Sequence, residues 1–541
     1  MKDIVLILGA GLMQKPAILS AKELGFYTVV IDADDKAVSI ECADEFRKID
    51  LKNKEEILDF AKELQSKGKL EAVFTAGTDF SASVSYVCEN LGLNAHSFEA
   101  ALNASDKTRM RDCFEKSKVP SPKFFRICKD DLSENLLKKI NSVIDFPIVV
   151  KPVDNMGARG CRMVRNEKEF LPAVSVAIEV SRTGYAIVEE YMEGPEYSID
   201  ALVYNGTMTI TGFAERHIYY PPYFIEMGHT MPAILDKEKH DQLISVFALG
   251  VKALGLSSGA AKADIKFTKN GPMIGEIAGR LSGGYMSGWT YPYASGLNLT
   301  KEALKIACNK VPDVLLQKRI PVDYLPSEVC KTLEKPFELF EVPCKKTSAE
   351  RAWISIPGKV KYIENIQDYT DQAIYDVLPR ATVSIGSNID FPRNNVQKCG
   401  NVIAVSFNHE LAITTGQNEI SDIFITLEPN NVETENFLNN ITKEDEEEFP
   451  PSAFGKISQE DLDSLPQIIK RGEKISKNIP KFCNSAENIN KKDWNYNTIL
   501  DTAVKFDLLR SDHPDMDCKK FWKALFRGGI QAAVYFADSN K

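Results

Sequence analysis

Hydrophobic runs of strand length alternate with stretches of helix length over the first hundred residues. Short apolar runs lie at 4–10, 28–32 and 71–77, and longer stretches with charged residues separate them. Strands that alternate with helices at this spacing pair in parallel, because a crossover helix returns the chain to the same end of the sheet. The pattern therefore predicts an N-terminal α/β domain with a parallel sheet over residues 1–104.

The pattern changes twice further along the chain. Residues 305–430 have one helical stretch and then short strands, which is typical of an antiparallel-rich α+β subdomain. Residues 431–456 are rich in Asn, then acidic, then carry two adjacent prolines, so we predict a linker there. Apolar residues recur at helical spacing in 464–475 and 521–537, which predicts a helical C-terminal extension over 457–541 that packs on the body or at a dimer contact.

Composition narrows the class of protein. The 541 residues give a prior of three to four domains, and the net charge of -10 argues against a nucleic-acid partner, which would need a basic surface. The 11 cysteines form no CxxC pair and are expected to be reduced thiols. Without a signal-peptide cleavage site or a long apolar window, we expect a cytoplasmic protein and no membrane partner.

The turn after the first strand, GAGLMQ, partly matches the fingerprint for dinucleotide binding. Gly9 and Gly11 fit, and Asp32 stands at about the right distance for a ribose-binding acid. The third glycine position, however, holds Gln14. We favour a plain strand–helix turn over a nicotinamide site and leave open whether Gly9–Gly11 binds any ligand.

The segment FPIVVKPVDNMGARG delivers a lysine at the end of an apolar strand, directly before a glycine-containing loop. Backbone N–H groups of such a loop can cradle phosphate oxygens, and the ammonium group of Lys151 would neutralise them. Because the loop joins two strands, it is not a P-loop, which opens a helix. A hairpin with a surface lysine is the alternative interpretation.

The segment VEEYMEGPEYSID joins two further strands through a Gly-Pro turn. Its backbone could hold adenine, and Glu196 could accept hydrogen bonds from the ribose hydroxyls. A glutamate beside a turn is more often only solvated.

The segment ADIKFTKNGPMIGEIAGR predicts a hairpin with two facing carboxylates. With a three-residue loop at 269–271, Asp264 and Glu276 lie directly opposite each other, whereas a two-residue loop offsets them by one position. Facing like charges destabilise a strand pair unless a cation lies between them. Mg²⁺ with phosphate is the natural candidate, and Arg280 could reach the same centre. A solvated pair on an exposed hairpin is the alternative.

Together and in this order, five segments of 104–300 resemble the ATP-grasp superfamily, and specifically its carboxylate–amine ligases of the L-amino-acid ligase type. The matching segments are 105–124, 146–160, 188–200, 224–232 and 264–284. Residues 1–104 resemble the preceding α/β domain of that family and 305–430 its lid-type subdomain, so about four-fifths of the chain is covered. The resemblance implies an ATP-grasp domain over 105–304, of α+β type, with a small nucleotide-clamping subdomain at about 115–192.

The resemblance also implies residue roles. The implied ATP-binding residues are Lys107, Lys151, Gly157, Ala158, Arg159, Gly160, Glu189, Glu190, Tyr191, Met192 and Glu196. The implied metal ligands are Asp264 and Glu276, and the implied catalytic or substrate-site residues are Arg280, Glu226 and His229. Many ATP-grasp enzymes have an Asn two residues after the second carboxylate; Ala278 stands there, which leaves the coordination of a second magnesium ion open.

The resemblance implies an ATP-dependent ligase that joins a small carboxylate, such as an amino acid, to an amine through an acylphosphate. The cofactors are then ATP and Mg²⁺, with Mn²⁺ as an alternative, and the partners are the two small substrates; a homodimer is left open. Two other hypotheses remain: an ATP-grasp carboxylase or purine-pathway ligase, and a nucleotide-binding regulator without turnover. A dinucleotide-dependent oxidoreductase is the weakest alternative.

Overall fold

The computed structural model describes residues 3–133, 135–366, 377–439 and 449–540. The chain divides into two compact units, which are described separately. Unit 1 comprises residues 1–217, 229–348 and 405–409, and unit 2 comprises residues 218–228, 349–404 and 410–541. Among the described helices, none has an apolar stretch long enough to cross a membrane.

Unit 1 begins with a four-stranded parallel sheet, as predicted. Its strands are β1 (Asp3–Leu8), β2 (Tyr27–Asp32), β3 (Glu45–Lys48) and β4 (Lys69–Phe74), in the order β3-β2-β1-β4. The accompanying helices are α1 (Lys15–Glu23), α2 (Lys54–Lys67), α3 (Ser81–Leu91) and α4 (Phe98–Ser105). The apolar pattern found β1, β2 and β4 because they are largely buried, whereas β3 is polar and lies at the edge.

A smaller antiparallel sheet follows in unit 1. Its strands are β5 (Phe124–Cys128), β6 (Ile148–Pro152), β7 (Arg162–Val164) and β8 (Tyr185–Glu190), in the order β5-β8-β6-β7. The helices of this stretch are α5 (Lys107–Lys116), α6 (Leu136–Asn141) and α7 (Glu167–Val180). Apolar residues of α6 and α7 share one buried cluster with this sheet, so its opposite face can carry polar side chains.

The central sheet of unit 1 contains the order β13-β12-β9-β10. Its strands are β9 (Glu196–Tyr204), β10 (Thr207–Tyr219), β12 (Gly259–Thr268), β13 (Gly271–Ala278), β14 (Ile320–Pro321) and β15 (Glu338–Glu341). Strand β11 (Ile225–Met231) begins in residues of unit 2 and ends in unit 1. The helices are α8 (Lys237–Leu254), α9 (Tyr291–Ser295), α10 (Leu299–Ala307) and α11 (Asp313–Lys318). Helix α8 starts at an Asp236 N-cap and packs its apolar face on β12 and β13.

Unit 2 contains the antiparallel strands predicted for the lid-type stretch. They are β16 (Thr347–Trp353), β17 (Gly358–Glu364), β18 (Val377–Ala381), β19 (Asn388–Ile389), β20 (Gly400–Ser406) and β21 (Phe424–Leu427). Strand β18 pairs antiparallel with β20, and β17 pairs antiparallel with β19 and β21. Helix α12 (His409–Asp422) precedes β21, and α13 (Val432–Asn439) lies within the predicted linker, whose residues 440–448 are outside the described ranges.

The C-terminal part of unit 2 includes a helix over the predicted stretch 521–537, and loops join its helices. It contains α14 (Gln459–Asp463), α15 (Ile499–Leu509), α16 (Cys518–Ser539) and the paired strands β22 (Ile468–Ile469) and β23 (Met516–Asp517). The helix predicted at 464–475 is wrong: β22 lies there, because Pro466 and Gly472 interrupt the helical period. Apolar residues of α16 share a core with β17 and β21, so the extension packs on the lid-type strands. The predicted fold class is thus confirmed, while the exact domain boundaries stay predictions.

The glycine turn after β1 is used for internal contacts. The Asp32 carboxylate accepts a hydrogen bond from Ala10 N at 2.8 Å. The buried Gln14 side chain accepts from Ala76 N at 2.8 Å and lies 3.4 Å from the Thr75 hydroxyl. Asp32 and Gln14, the two residues on which the dinucleotide hypothesis depends, therefore stabilise loops of the N-terminal domain.

Replacing Gln14 with leucine is expected to destabilise unit 1 by about 1–3 kcal/mol, because Ala76 N–H would stay buried without its acceptor. Thermal unfolding checks this, with Gln65→Leu on the exposed face of α2 as the matched control. Equal melting temperatures for the two variants would contradict the assigned contact.

Candidate active site

The hairpin β12–β13 brings two carboxylates face to face by a route that differs from the prediction. The loop has two residues, Lys269 and Asn270, which is the shorter of the two lengths considered and by itself would offset the carboxylates by one position. A β-bulge between Asp264 and Ile265 then shifts the register by one, with Gly275 as the extra residue. The shift places Asp264 opposite Glu276, so the predicted facing pair is confirmed.

Basic side chains surround this pair. Asp264 forms ion pairs with Lys262 and with Arg216, whose Nη1 lies 2.9 Å from Asp264 Oδ1. Glu276 lies 3.5 Å from Lys107 Nζ. Burial raises the pKa of Glu276, but the nearby lysines and Arg280 outweigh it and lower that pKa to about 2. Glu276 is therefore a fixed negative charge in a basic environment.

A buried ion-pair network joins Lys151, Glu189 and Arg111. Glu189 Oε2 lies 2.5 Å from Lys151 Nζ, and Glu189 Oε1 accepts a hydrogen bond of 2.8 Å from Arg111 Nε. Arg111 also donates to the Gly275 carbonyl at 2.5 Å, at the bulge itself. Burial raises the pKa of Glu189, but Arg111 and Lys151 lower it on balance. Sequence reasoning missed Arg111, although it lies four residues after Lys107 on one face of α5.

The predicted glycine-rich loop connects β6 and β7. Gly157, Ala158 and Gly160 have left-handed φ values of 68°, 59° and 69°. A Cβ on Gly160 would approach Val180 Cγ2 to 2.4 Å, so only glycine fits there. Lys107 Nζ donates to the Asn155 carbonyl at 3.1 Å, which places this lysine against the loop. The Arg159 side chain is exposed.

The predicted adenine linker, 189–192, begins in the last two residues of β8. The Glu189 side chain is buried in the ion-pair network, so it does not face the linker. The Tyr191 ring lies under Lys266 Nζ, 5.1 Å from its centroid.

The other residues implied for binding adenine and ribose contact several parts of unit 1. Glu190 accepts a hydrogen bond of 3.4 Å from Lys123 N, and the Met192 methyl group lies near Gly275. Glu196 pairs with Arg216 at 2.5 Å and lies 3.7 Å from Lys266. Arg216 thus links Glu196 to Asp264, a contact that sequence spacing does not reveal.

Arg280 lies in the glycine-bounded segment after β13, beside a loop of the N-terminal domain. Its Nε is 3.9 Å from Asp79 Oδ1, and its Nη1 donates to the Leu281 carbonyl. A Cβ on Gly77 would come within 3.0 Å of the Gly283 Cα, so the two segments meet closely. The fully buried Asp200 accepts hydrogen bonds from Ser282 N and Oγ at 3.0 and 2.9 Å, which fixes the segment. Sequence reasoning missed both Asp79 and Asp200.

Asp200 should make stability depend on pH. Burial raises its pKa from 3.8 to about 6, against the Ser282 hydrogen bonds. Between about pH 4 and pH 6 the folded protein keeps this carboxyl group protonated, whereas the unfolded chain releases the proton. The free energy of unfolding therefore falls as pH rises through that range. Asp200→Asn does not titrate, so its free energy of unfolding should rise by about 3 kcal/mol relative to that of wild type between the two ends of this pH range. Denaturant titrations at several pH values check this, and parallel curves would contradict it.

The two residues of the FIEMGHTMP segment fall in different units. His229, in unit 1, is buried, and its Nε2 lies 2.7 Å from the Thr290 hydroxyl. Glu226, in unit 2, is also buried; its N–H donates to Asn395, and its carbonyl accepts from Lys398 Nζ at 2.7 Å. The roles of both residues, like those of the other predicted site residues, stay predictions.

Comparison with known proteins gives a family for part of the chain. A family model described as an ATP-grasp domain matches residues 144–288. Alanine–anticapsin ligase of Bacillus subtilis (strain 168) is 27% identical over 293 residues, which cover 49% of this chain and 61% of that protein. The chain therefore spans less than two thirds of this curated relative's length.

Solved structures share the fold at low sequence identity. L-amino acid ligase from Bacillus licheniformis gives a TM-score of 0.63 at 17% identity and covers 79% of this chain and 100% of its own. A second structure is the biotin carboxylase domain dimer of Hydrogenobacter thermophilus 2-oxoglutarate carboxylase in complex with MgADP, ADP and bicarbonate. It gives a TM-score of 0.58 at 19% identity, and the match covers 79% of this chain and 91% of that chain. The family match and the shared fold identify residues 144–288 as an ATP-grasp domain.

Proposed function

We propose that this protein is an ATP-dependent ligase that joins a small carboxylate to an amine. The observation that carries the proposal is the facing pair Asp264 and Glu276, with Lys107, Lys262 and Arg216 in ion-pair contact. Phosphoryl transfer needs positioning and neutralisation of charge more than a protein nucleophile. A site in which basic side chains surround two facing carboxylates supplies both the positioning and the neutralisation of charge.

The donor set fits Mg²⁺ bound together with phosphate. Two facing carboxylates suit an ion that takes few protein oxygens and completes its shell with phosphate and water. Within the described ranges, no group of three or more His, Cys, Asp or Glu side chains could hold a metal. Asp264 and Glu276 would hold the ion because they face each other across the hairpin, and the ion when bound would neutralise phosphate charge. The proposal includes Mn²⁺ as an alternative ion at the same two carboxylates.

The chain's own residues bind and orient the reactants. Lys107 and Lys151 would contact the phosphates, and the loop 157–160 would close over them. The linker 189–192 would hold adenine through its backbone. Glu196 would accept hydrogen bonds from the ribose once a nucleotide replaces Arg216, which is the present partner of Glu196. In this reaction a carboxylate oxygen bonds to the γ-phosphorus as ADP leaves, and the amine then displaces phosphate and loses a proton.

Arg280 would stabilise charge at the phosphoryl and acyl centre, and Glu226 and His229 would contact the substrates. The names of the similar ligases support an amino acid as a substrate. A homodimer is compatible with the dimer named for the biotin carboxylase domain and also belongs to the proposal.

The test incubates the protein with ATP, Mg²⁺ and pairs drawn from the common amino acids, and measures phosphate release. We expect particular pairs to stimulate release and to give a dipeptide by mass spectrometry. If no pair stimulates release, ligase function is wrong.

Bicarbonate alone is the control for the carboxylase alternative, which the likeness to the biotin carboxylase domain favours. Bicarbonate-stimulated release without an amine would support that alternative. The ordered contacts of Asp32 and Gln14 favour neither NAD nor NADP as a ligand, so neither should raise the melting temperature.

A further inference from the structure

Lys262 lies on the same face of the central sheet as the two facing carboxylates. It precedes Asp264 by two residues on β12, and alternate residues of a strand point to the same side. Its partner on β13 is Ala278, just as Glu276 is the partner of Asp264. Because directly opposite residues of an antiparallel pair share a face, Lys262 and Ala278 form the row next to the carboxylate pair.

The ammonium group of Lys262 is held against one of these carboxylates. Lys262 Nζ forms an ion pair with Asp264 Oδ2, while Arg216 Nη1 lies 2.9 Å from Asp264 Oδ1. The Lys262 side chain is only 12% exposed, so it is fixed within the site rather than extended into solvent. Burial raises the pKa of Glu276, and Lys107 and then Lys262 lower it, which agrees with an ammonium group near both carboxylates.

The side chains on either side of Lys262 do not add a metal ligand to the pair. Ala278 ends in a methyl group. On the other side, Lys262 is paired with Asp200 of β9, whose buried carboxylate accepts hydrogen bonds from the segment after β13. Among the residues that the structure describes, no third His, Cys, Asp or Glu side chain joins the facing pair as a possible metal ligand. The site therefore has protein ligands for one ion and a fixed ammonium group beside them.

A fixed ammonium group can supply part of what a metal ion supplies at a phosphate. It donates up to three hydrogen bonds and neutralises one negative charge, without requiring further protein ligands. It also disfavours an additional cation at the carboxylate that it contacts, because like charges a few ångströms apart repel strongly in a partly buried site. Lys262 therefore both provides positive charge beside Asp264 and opposes the binding of a further divalent ion there.

We propose that the Lys262 ammonium group takes the place of a second divalent cation, so that Asp264 and Glu276 bind a single Mg²⁺ or Mn²⁺ with each nucleotide. This role rests on the proposed function for the presence of the nucleotide. Lys262 keeps its contact with Asp264 and donates to a phosphate oxygen. The coordination of a second magnesium ion, which Ala278 left open, is then not needed, because a lysine lies opposite Ala278.

The experiment counts the metal ions that bind together with a nucleotide. Mn²⁺ is titrated into equal concentrations of the protein and a non-hydrolysable ATP analogue, and electron paramagnetic resonance measures the free ion. We expect wild type to bind one Mn²⁺ for each analogue. Ala278→Asn should still bind one, because Lys262 remains. The double variant Lys262→Met, Ala278→Asn gains an oxygen ligand and loses the ammonium group, so it should bind two.

The affinity for the analogue gives a second readout. Lys262→Met should weaken binding of the analogue about tenfold, because a charged donor to phosphate is lost. Lys262→Arg keeps the charge and should retain one Mn²⁺ and most of the affinity. Lys269→Met removes an exposed lysine at the turn of the same hairpin, so it is the matched control and should bind the analogue as wild type does. Melting temperatures show that each variant is folded.

Two Mn²⁺ in wild type or in Ala278→Asn would overturn the proposal, as would one in the folded double variant or an unchanged affinity in Lys262→Met. If the Lys262 variants do not fold, the counts for wild type and Ala278→Asn decide. Failure of the ligase function gives a different result: one Mn²⁺ without amide formation from any amino-acid pair retains this inference and refutes the ligase. Amide formation with two Mn²⁺ does the reverse, and a wild type that does not bind the analogue refutes both.

Discussion

Replacing Glu276 with alanine is expected to lower amino-acid-stimulated phosphate release about a thousandfold. Glu276 faces Asp264 across the hairpin and lies 3.5 Å from Lys107, and the surrounding cations hold its pKa at about 2. Removing it leaves one carboxylate for the proposed metal and several cations without their counter-charge. Steady-state release of phosphate at saturating ATP measures the effect.

A second readout separates this role from a general loss of structure. In wild type, ADP should raise the melting temperature more with Mg²⁺ than without it; in Glu276→Ala the two shifts should be equal. Glu338→Ala, which removes an exposed glutamate of β15, is the matched control and should retain wild-type activity. Wild-type turnover in Glu276→Ala, or a full magnesium effect on ADP binding, would refute the proposed metal site.

Sequence patterns predicted those parts of the site that lie close together in the chain. The hairpin carrying Asp264 and Glu276 was predicted because polar turn residues interrupt two apolar runs. The loop length alone did not decide its register, because the bulge at Gly275 compensates for the shorter of the two possible loops. A bulge depends on contacts from elsewhere, here the hydrogen bond from Arg111 to the Gly275 carbonyl, and so leaves little local signal.

The residues that sequence reasoning missed are brought in by tertiary packing. Arg216 meets Glu196 because β9 and β10 pair at that register, and Asp79 meets Arg280 because two glycines allow the loops to approach closely. The parallel N-terminal sheet was predictable because its strands are buried apolar runs. The short strand β22 was not, since the apolar spacing of that segment also suits a helix.

Replacing Arg111 with methionine is expected to destabilise unit 1 by about 3–5 kcal/mol. Arg111 is fully buried, and its guanidinium group bridges Glu189 and the Gly275 carbonyl. Without it, the buried Glu189 carboxylate loses one of its two ion-pair partners among the described residues and keeps Lys151, and the bulge carbonyl loses its donor. Scanning calorimetry should show the melting of unit 1 at a lower temperature. Arg111→Lys should be intermediate, because one ammonium group cannot reproduce the planar fork.

Arg109 provides the control, because it lies two residues away on the same helix but pairs with Glu99 at the surface. Arg109→Met should cost less than about 1 kcal/mol. The pH dependence gives a further check: the lowered pKa of Glu189 stabilises the fold above its unfolded value of 4.5, and this stabilisation is lost as pH falls through the folded value. The deficit of Arg111→Met should therefore shrink in acid. An equal loss of unfolding free energy in Arg111→Met and Arg109→Met would contradict this prediction, as would a loss in Arg111→Met that does not depend on pH. Either result would show that the buried pair of Arg111 and Glu189 does not hold the bulge and its carboxylates in place.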